Sequence, residues 1–263
     1  MNNLFNVQGR IALVTGGSSG IGFMIAKGLV LAGAKVYICA LGSDPISSAV
    51  EELNALGGGS AEGFSADLAT KAGIALVAEY ITARESHLDI LISNAGIRRD
   101  PQQRCDVLTA SLDELQASMW SHREEDWELS FRVNTTAHYF LSVALLKLLH
   151  AAAHLDLGDG VKGSDVGRGV VVVTSSCASM HNCTNVDLSS YATSKAATDH
   201  LVAILASKFA RWYVRVNAIN PGFVPSNMNP VGQEGNMFAN LFDKVPARRA
   251  GKYEDLAGTV LHI

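Results

Sequence analysis

Residues 10–33 read RIALVTGGSSGIGFMIAKGLVLAG. A near-continuous apolar run, Ile11 to Thr15, meets a glycine-rich turn, and the turn opens directly into a helix-like apolar segment from about Ile21. A strand that is apolar at every position is one covered on both faces, as in a parallel sheet flanked by helices. Such a strand must be followed by a crossover, because parallel neighbours cannot be joined by a tight turn.

The rest of the chain repeats this grammar. Candidate strands are Ile11 to Thr15, Lys35 to Ala40, Glu62 to Ser65, Leu88 to Ser93, Gly169 to Ser175 and Val214 to Ile219. Helical patterns follow from about Ile21, Pro45, Thr70, Ser111, Glu125 and Ser189, with a last one near Tyr253. Strands alternating with helices predict an α/β fold, a doubly wound, mostly parallel sheet with six readable strands. Two stretches read as exposed connections: Gly96 to Val107 (GIRRDPQQRCDV), at a strand end where a substrate could bind, and Leu157 to Gly169 (LGDGVKGSDVGRG).

At 263 residues the chain suits one domain, 1–263, rather than two. A net charge of −4 gives no reason to expect nucleic acid or an anionic membrane as partner. No apolar run reaches the roughly 18 residues that span a bilayer, and MNNLFNVQGR lacks a signal-peptide pattern. Cys39, Cys105, Cys177 and Cys183 show no C-x-x-C pairing, so no metal knot or disulfide frame is expected and a cytoplasmic setting fits.

The glycine turn lets backbone N–H groups approach a pyrophosphate, with the partial positive charge of a helix N-terminus behind them. Its candidate residues are Gly16, Ser18, Ser19, Gly20, Ile21 and Gly22. The spacing is not G-x-G-x-x-G, so the strand–turn–helix setting carries the reading. The same residues satisfy G-x-S-x-G, the nucleophile elbow of serine hydrolases, with Asp199 and His200 downstream. That elbow follows several strands, whereas only one precedes Ser18.

Tyr191-Ala192-Thr193-Ser194-Lys195 opens a helix and puts Tyr191 and Lys195 on one face, one turn apart. An ammonium near a phenol favours the phenolate and lowers its pKa, which suits acid–base work. Tyr-x-x-x-Lys is common by chance, and neighbouring motifs give it weight. One strand ends in Ser175-Ser176 and another in Asn94-Ala95-Gly96, both at the carboxyl edge where open α/β sheets bind ligands. Asn134 is a polar residue inside an amphipathic helix, which by itself reads as a kink or a satisfied internal amide.

The order and spacing of TGGSSGIG, NAG, the strand-end serines, YATSK and INPGFVPS resemble the short-chain dehydrogenase/reductase family over about residues 9 to 262, and in particular its fungal members of the 3-oxoacyl-carrier-protein-reductase-like kind. The resemblance implies a Rossmann fold and hydride transfer between NAD(P) and a small carbonyl or alcohol. Tyr191 is then the acid/base, Lys195 lowers its pKa and binds the nicotinamide ribose, and Asn134 supports a water-linked proton relay. Ser176 matches the family's second serine and would hold the substrate oxygen. The interval to Tyr191 is two residues longer than usual, which keeps Ser175 as the alternative. Asp67, with Leu68, matches the segment at the adenine; Pro221, Gly222, Val224 and Ser226 match the segment at the nicotinamide carboxamide. The family forms homodimers or homotetramers.

For the cofactor, relatives specific for NAD carry an acid at the end of the second strand. Here that strand ends in Ala40-Leu41, and Asp44 before Pro45 reads as a helix N-cap. The basic residue of NADP users is also missing, at both Ser19 and Leu41. NADP is expected ahead of NAD, with Ser43 able to donate one hydrogen bond. Relatives continue past YEDLAGTVLHI into a seventh strand, absent here, so RVNAI is expected as a sheet edge. The alternative reading is a cofactor-binding, non-catalytic or regulatory paralogue; epimerisation or dehydration on the same fold is a third. The pocket would be shaped by the Gly96 loop, Met180 to Leu188 and the segment after Ser226, where Met228, Met237, Phe238 and Phe242 suggest an apolar lid, although such a stripe is more often ordinary core.

Overall fold

The computed structural model describes residues 6–180, 185–228 and 246–263. In chain order the main elements are β1 (Ile11–Thr15), α1 (Gly20–Leu31), β2 (Lys35–Ala40), α2 (Ile46–Ala55), β3 (Ser60–Ser65), α3 (Lys71–Thr82) and β4 (Ile90–Ser93). Then follow α4 (Leu112–Trp120), α5 (Glu124–Phe131), α6 (Ala137–Ala144), α7 (Leu146–Ala153), β5 (Val170–Thr174), α8 (Ser189–Phe209), β6 (Arg215–Ile219) and α9 (Tyr253–His262). The six strands form one parallel sheet in the order β3-β2-β1-β4-β5-β6. The expected strands are all present, each within two residues of its expected ends.

Alternation along the strands divides the core in two. Leu13, Tyr37, Leu91, Val171 and Val173 point to one face, where they meet Leu141, Leu145, Val202 and Leu205. Ala12, Val14, Ile38, Ile92 and Val172 point to the other, against Ile25, Leu29, Leu53 and Leu256. Both faces are therefore sealed by helices, the physical reason β1 and β5 tolerate no polar interior residue. Helix starts follow local chemistry. Thr70 Oγ1 accepts from Gly73 N at 3.0 Å, and Ser111 and Glu114 form a reciprocal capping box.

Three details differ from the sequence reading. Asp44 does not cap α2; its Oδ2 accepts from Leu41 N at 3.1 Å and closes the turn after β2, while Pro45 stands at the flanking position. The stretch 157–169 is not wholly exposed. It contains a short 3-10 turn (Gly163–Val166), Gly163 is buried, and Arg168 donates to the buried Asp89 carboxylate at 2.8 Å. Between α5 and α6, residues Arg132–Thr136 form a single π-helical turn, a feature no periodicity announces. Among the described residues, β6 pairs only with β5. No single helix there is long and apolar enough to cross a membrane.

Candidate active site

The order of the strands makes β1 and β4 neighbours whose connections leave toward opposite faces of the sheet, so their carboxyl ends part and leave a crevice. A cleft of about 330 Å³ occupies it. Its floor is the glycine turn, with Gly16, Ser18, Ser19, Gly20 and Ile21 among the lining residues. Gly16 takes φ +62°, a left-handed conformation natural to glycine. Gly22 does not line the cleft. A Cβ there would lie 2.1 Å from the Gly16 carbonyl oxygen, so its role is to let α1 fold back against the turn.

The end of β4 locks this turn. Thr15 Oγ1 accepts from Asn94 N at 2.8 Å and Ala95 N at 3.0 Å, while Asn94 Nδ2 donates to the Thr15 carbonyl at 2.9 Å. Asn94, Ala95 and Gly96 line the cleft, and the Asn94 amide is spent on holding two strand ends together. Beneath them, buried His138 places Nδ1 2.7 Å from Ser93 Oγ. Burial, and next the Lys195 charge, hold its pKa well below 6.5, so its imidazole is neutral.

At the end of the cleft beyond β2 and β3, Asp67 and Leu68 line it; Asp67 Oδ1 accepts from Ala69 N at 2.9 Å. Leu41 and Asp44 line it too, with the Asp44 carboxylate engaged by Leu41 N–H.

At the other end lie Ser176, Tyr191 and Lys195. The two strand-end serines have different tasks. Ser175 Oγ donates to the Lys195 carbonyl at 3.1 Å and braces α8. Ser176 Oγ accepts from Ala178 N at 3.1 Å, and its side chain favours the ionised form of neighbouring Tyr191. Lys195 Nζ donates to the Thr174 carbonyl at 2.7 Å and lies 5.9 Å from the centroid of the Tyr191 ring. Burial brings the Lys195 ammonium down to about 8, opposed by the charge of Asp199.

The tyrosine departs from expectation. Its pKa is raised, not lowered, because burial outweighs the favourable effect of the neighbouring Ser176 side chain; Cys177 adds to the rise, and Arg98, rather than Lys195, is the cation that opposes it. The Lys195 ammonium makes its hydrogen bond to a backbone carbonyl.

Asn134 does not line the cleft. It sits buried in the π turn, accepting from Ile97 N at 2.8 Å and donating to the Ile97 carbonyl and Ser194 Oγ, each at 2.9 Å. Its side chain is a satisfied internal amide that pins the start of the Gly96 loop to α8. Pro221, Gly222 and Ser226 line the cleft, with Ser226 packed against the glycine turn. Val224 instead turns its side chain into the core. Met228 lines the cleft, while Met237, Phe238 and Phe242 lie outside the described residues, as does Cys183.

Several residues escaped the sequence reading: Thr15, Arg98, and a cluster in which Asp199 accepts from Ser179 Oγ at 2.5 Å and from Asn220 Nδ2 at 3.0 Å. Asp199 stands one helical turn beyond Lys195, a spacing that could have marked it. This cluster removes the hydrolase alternative, because Asp199 is held by Ser179 and Asn220 while His200 is exposed.

The residues fit a dinucleotide. A glycine cradle at a helix N-terminus suits its phosphates; Thr174 also lines the cleft, and its Oγ1 is buried with no hydrogen-bond partner among the described residues. An open parallel sheet with such a crevice at its switch point defines a dinucleotide-binding α/β protein. The comparisons agree. The short chain dehydrogenase family matches residues 10–236. A short-chain dehydrogenase/reductase of Diaporthe leptostromiformis, PhomF, is 31% identical over 265 residues, covering 98% of this chain and 86% of that protein. The rhamnolipids biosynthesis 3-oxoacyl-acyl-carrier-protein reductase of Pseudomonas aeruginosa is 30% identical over 264 residues, covering 100% and 92%. The solved RhlG/NADP active-site complex of Pseudomonas aeruginosa superposes with a TM-score of 0.82 at 30% identity, covering 100% and 91%. A short chain dehydrogenase of Burkholderia cenocepacia in complex with NADP gives 0.75 at 30%, covering 97% and 90%. The chain belongs to the short-chain dehydrogenase family and is an NAD(P)-dependent oxidoreductase.

Proposed function

We propose that this chain reduces a carbonyl compound with NADPH, using Tyr191 as the proton donor, Ser176 to hold the substrate oxygen and Lys195 to orient the nicotinamide ribose. The observation that carries the reading is the meeting of Ser176, Tyr191 and Lys195 on one cleft, with Lys195 Nζ 5.9 Å from the centroid of the Tyr191 ring. The nicotinamide supplies a hydride when bound. The chain's own residues manage the oxygen. Ser176, steadied by Ala178 N–H, offers its hydroxyl to the carbonyl oxygen, and Tyr191 O–H delivers the proton there. A phenol whose pKa is raised by burial is protonated at neutral pH, so it begins as an acid. The charge of Arg98 favours the phenolate that remains.

NADP is favoured over NAD by two neighbours that are NADP complexes and by Leu41 standing where a carboxylate would repel a 2′-phosphate. Asn134 supports the relay by holding Ile97 and Ser194 in place. Action as a homodimer or homotetramer follows the family, while a cytoplasmic setting and one domain over 1–263 follow from the cysteine pattern and the length.

The test is Tyr191→Phe, assayed for NADPH oxidation against a panel of ketones, quinones and acyl thioesters. Turnover should fall by about 10²- to 10⁴-fold while NADPH binding, followed by fluorescence, is retained. A variant with near-normal rates overturns the assignment.

A further inference from the structure

Two segments far apart in sequence meet just ahead of α8. His122 stands shortly after α4, and Asp187 stands two residues before the first residue of α8. His122 Nε2 lies 3.0 Å from Asp187 Oδ2, and the two side chains are 5% and 6% exposed. The other carboxylate oxygen, Oδ1, accepts from Ser189 N at 2.9 Å and from Ser189 Oγ at 2.5 Å. Burial pushes the Asp187 carboxyl up, but the Ser189 hydroxyl, the Ser189 N–H and His122 outweigh it and hold the pKa below its ordinary value. The carboxylate is therefore ionised and only accepts, so His122 Nε2 is the donor. The acid stands between the serine and the histidine, which is not the serine–histidine–acid order of a nucleophile. Neither His122 nor Asp187 lines the cleft, whereas Leu188, the next residue, does.

What this pair holds is the start of a helix. The first N–H groups of a helix have no partner within it. In α8 the leading one is Ser189 N; Tyr191 comes two residues later, and Lys195 one turn beyond that. The two site residues are secured differently. Lys195 is tied to β5 twice, through Nζ on the Thr174 carbonyl and through Ser175 Oγ on its own carbonyl. Ser194, just before it, is held by Asn134 Nδ2 and Thr135 Oγ1. Tyr191 lies ahead of these anchors, in the turn that Asp187 closes, where Ser190 Oγ adds a 3.4 Å bond to the Arg99 carbonyl.

We propose that His122 is a positioning residue that, by holding Asp187 against the first turn of α8, fixes where the Tyr191 hydroxyl meets the substrate oxygen. This rests on the reductase reading above. The effect falls on the proton-transfer step and spares the cofactor, because Lys195 keeps its own anchors to β5.

Two substitutions separate the hydrogen bond from the ring. His122→Gln keeps an N–H donor but loses the ring, which meets Trp127 edge-on at 6.1 Å. His122→Phe keeps a ring and loses the donor. Both are assayed with NADPH and the carbonyl panel, beside the wild type and Tyr191→Phe. His122→Phe should lose about tenfold or more in kcat with NADPH affinity retained, and His122→Gln should restore most of that loss. Hydrogen exchange of the peptide spanning residues 186–195, read without substrate, should quicken in His122→Phe and stay near wild type in His122→Gln. Normal kcat in His122→Phe, equal losses in both variants, or NADPH affinity falling in step with kcat overturns the proposal. Unchanged exchange in His122→Phe overturns it whatever the rates. Any of these results beside an inactive Tyr191→Phe leaves the reductase reading standing. Near-normal turnover by Tyr191→Phe overturns that reading and, with it, the part given to His122.

Discussion

Lys195 Nζ donates to the carbonyl oxygen of Thr174 at 2.7 Å, tying the ammonium on α8 to the last residue of β5. The bond keeps a cation buried at the wall of the cleft, where we propose it faces the nicotinamide ribose, and burial lowers its pKa from 10.5 to about 8. Two pH effects follow, of opposite sense. NADPH affinity and kcat/KM should fall as pH rises through about 8, because the group that binds is the protonated one. Stability should move the other way. The unfolded chain keeps this proton up to about 10.5, so between about 8 and 10.5 it binds more protons than the folded one, and stability gains about 3 kcal/mol across that window. Lys195→Met should therefore be more stable than the wild type near neutral pH, with the advantage shrinking toward pH about 10. Urea unfolding of both at several pH values checks this, and a constant difference would contradict it.

The glycine turn offers a second test with an internal control. A Cβ on Gly22 would lie 2.1 Å from the Gly16 carbonyl oxygen and 2.6 Å from Asn94 Nδ2, so Gly22→Ala must push open the turn proposed to cradle the cofactor's phosphates. NADPH affinity should drop by at least about tenfold, or 1.4 kcal/mol. Gly258, also helical, has nothing within 4 Å of its would-be Cβ. Gly258→Ala should leave NADPH affinity unchanged and stabilise α9 by about 0.5–1 kcal/mol. Titration of NADPH fluorescence and thermal melts separate the two.

Much of this was legible in the chain because it is written locally. The apolar runs of β1 and β5, the Thr70 and Ser111 helix starts and the Tyr191–Lys195 spacing each depend on a few neighbouring residues, and the structure shows them as read. What was missed is set by distant partners. The raised pKa of Tyr191 comes from burial among segments far apart in sequence, and the Asp44 carboxylate closes its own turn although Asp-Pro reads as a cap. The π turn around Asn134 is paired to Ile97, 37 positions earlier. Val224 follows Pro221-Gly222 in a matching motif yet packs into the core, since a motif gives residue order and not side-chain direction.

At the opposite edge of the sheet, Asp89 is fully buried and accepts from Ile11 N at 2.7 Å and from Arg168 Nη1 at 2.8 Å. Asp89→Ala would leave a guanidinium and a strand N–H without their acceptor, at a cost of about 3–5 kcal/mol. Asp89→Asn should lose less, because an amide oxygen still accepts one bond. The urea midpoint should move accordingly, with NADPH affinity of the folded protein unchanged because this edge is remote from the cleft. A loss under about 1 kcal/mol for the alanine variant would show that Arg168 finds another partner.

Asp199 joins three parts of the reacting end. Its carboxylate takes Ser179 Oγ at 2.5 Å and Asn220 Nδ2 at 3.0 Å; the same Asn220 nitrogen lies 3.2 Å from the Ser176 carbonyl, and the charge favours the Lys195 ammonium one turn away. It touches no reacting atom, so it is a positioning residue, and two substitutions divide its effects. Asp199→Asn keeps the shape but removes the charge. The Lys195 pKa should then fall further below about 8, and the alkaline limb of kcat/KM should shift to lower pH. Asp199→Ala also frees Asn220 and Ser179, so kcat should fall at every pH as the Ser176 segment loosens. A purely structural residue would lower activity without moving the limb, so pH–rate profiles of the two variants beside the wild type decide between these roles.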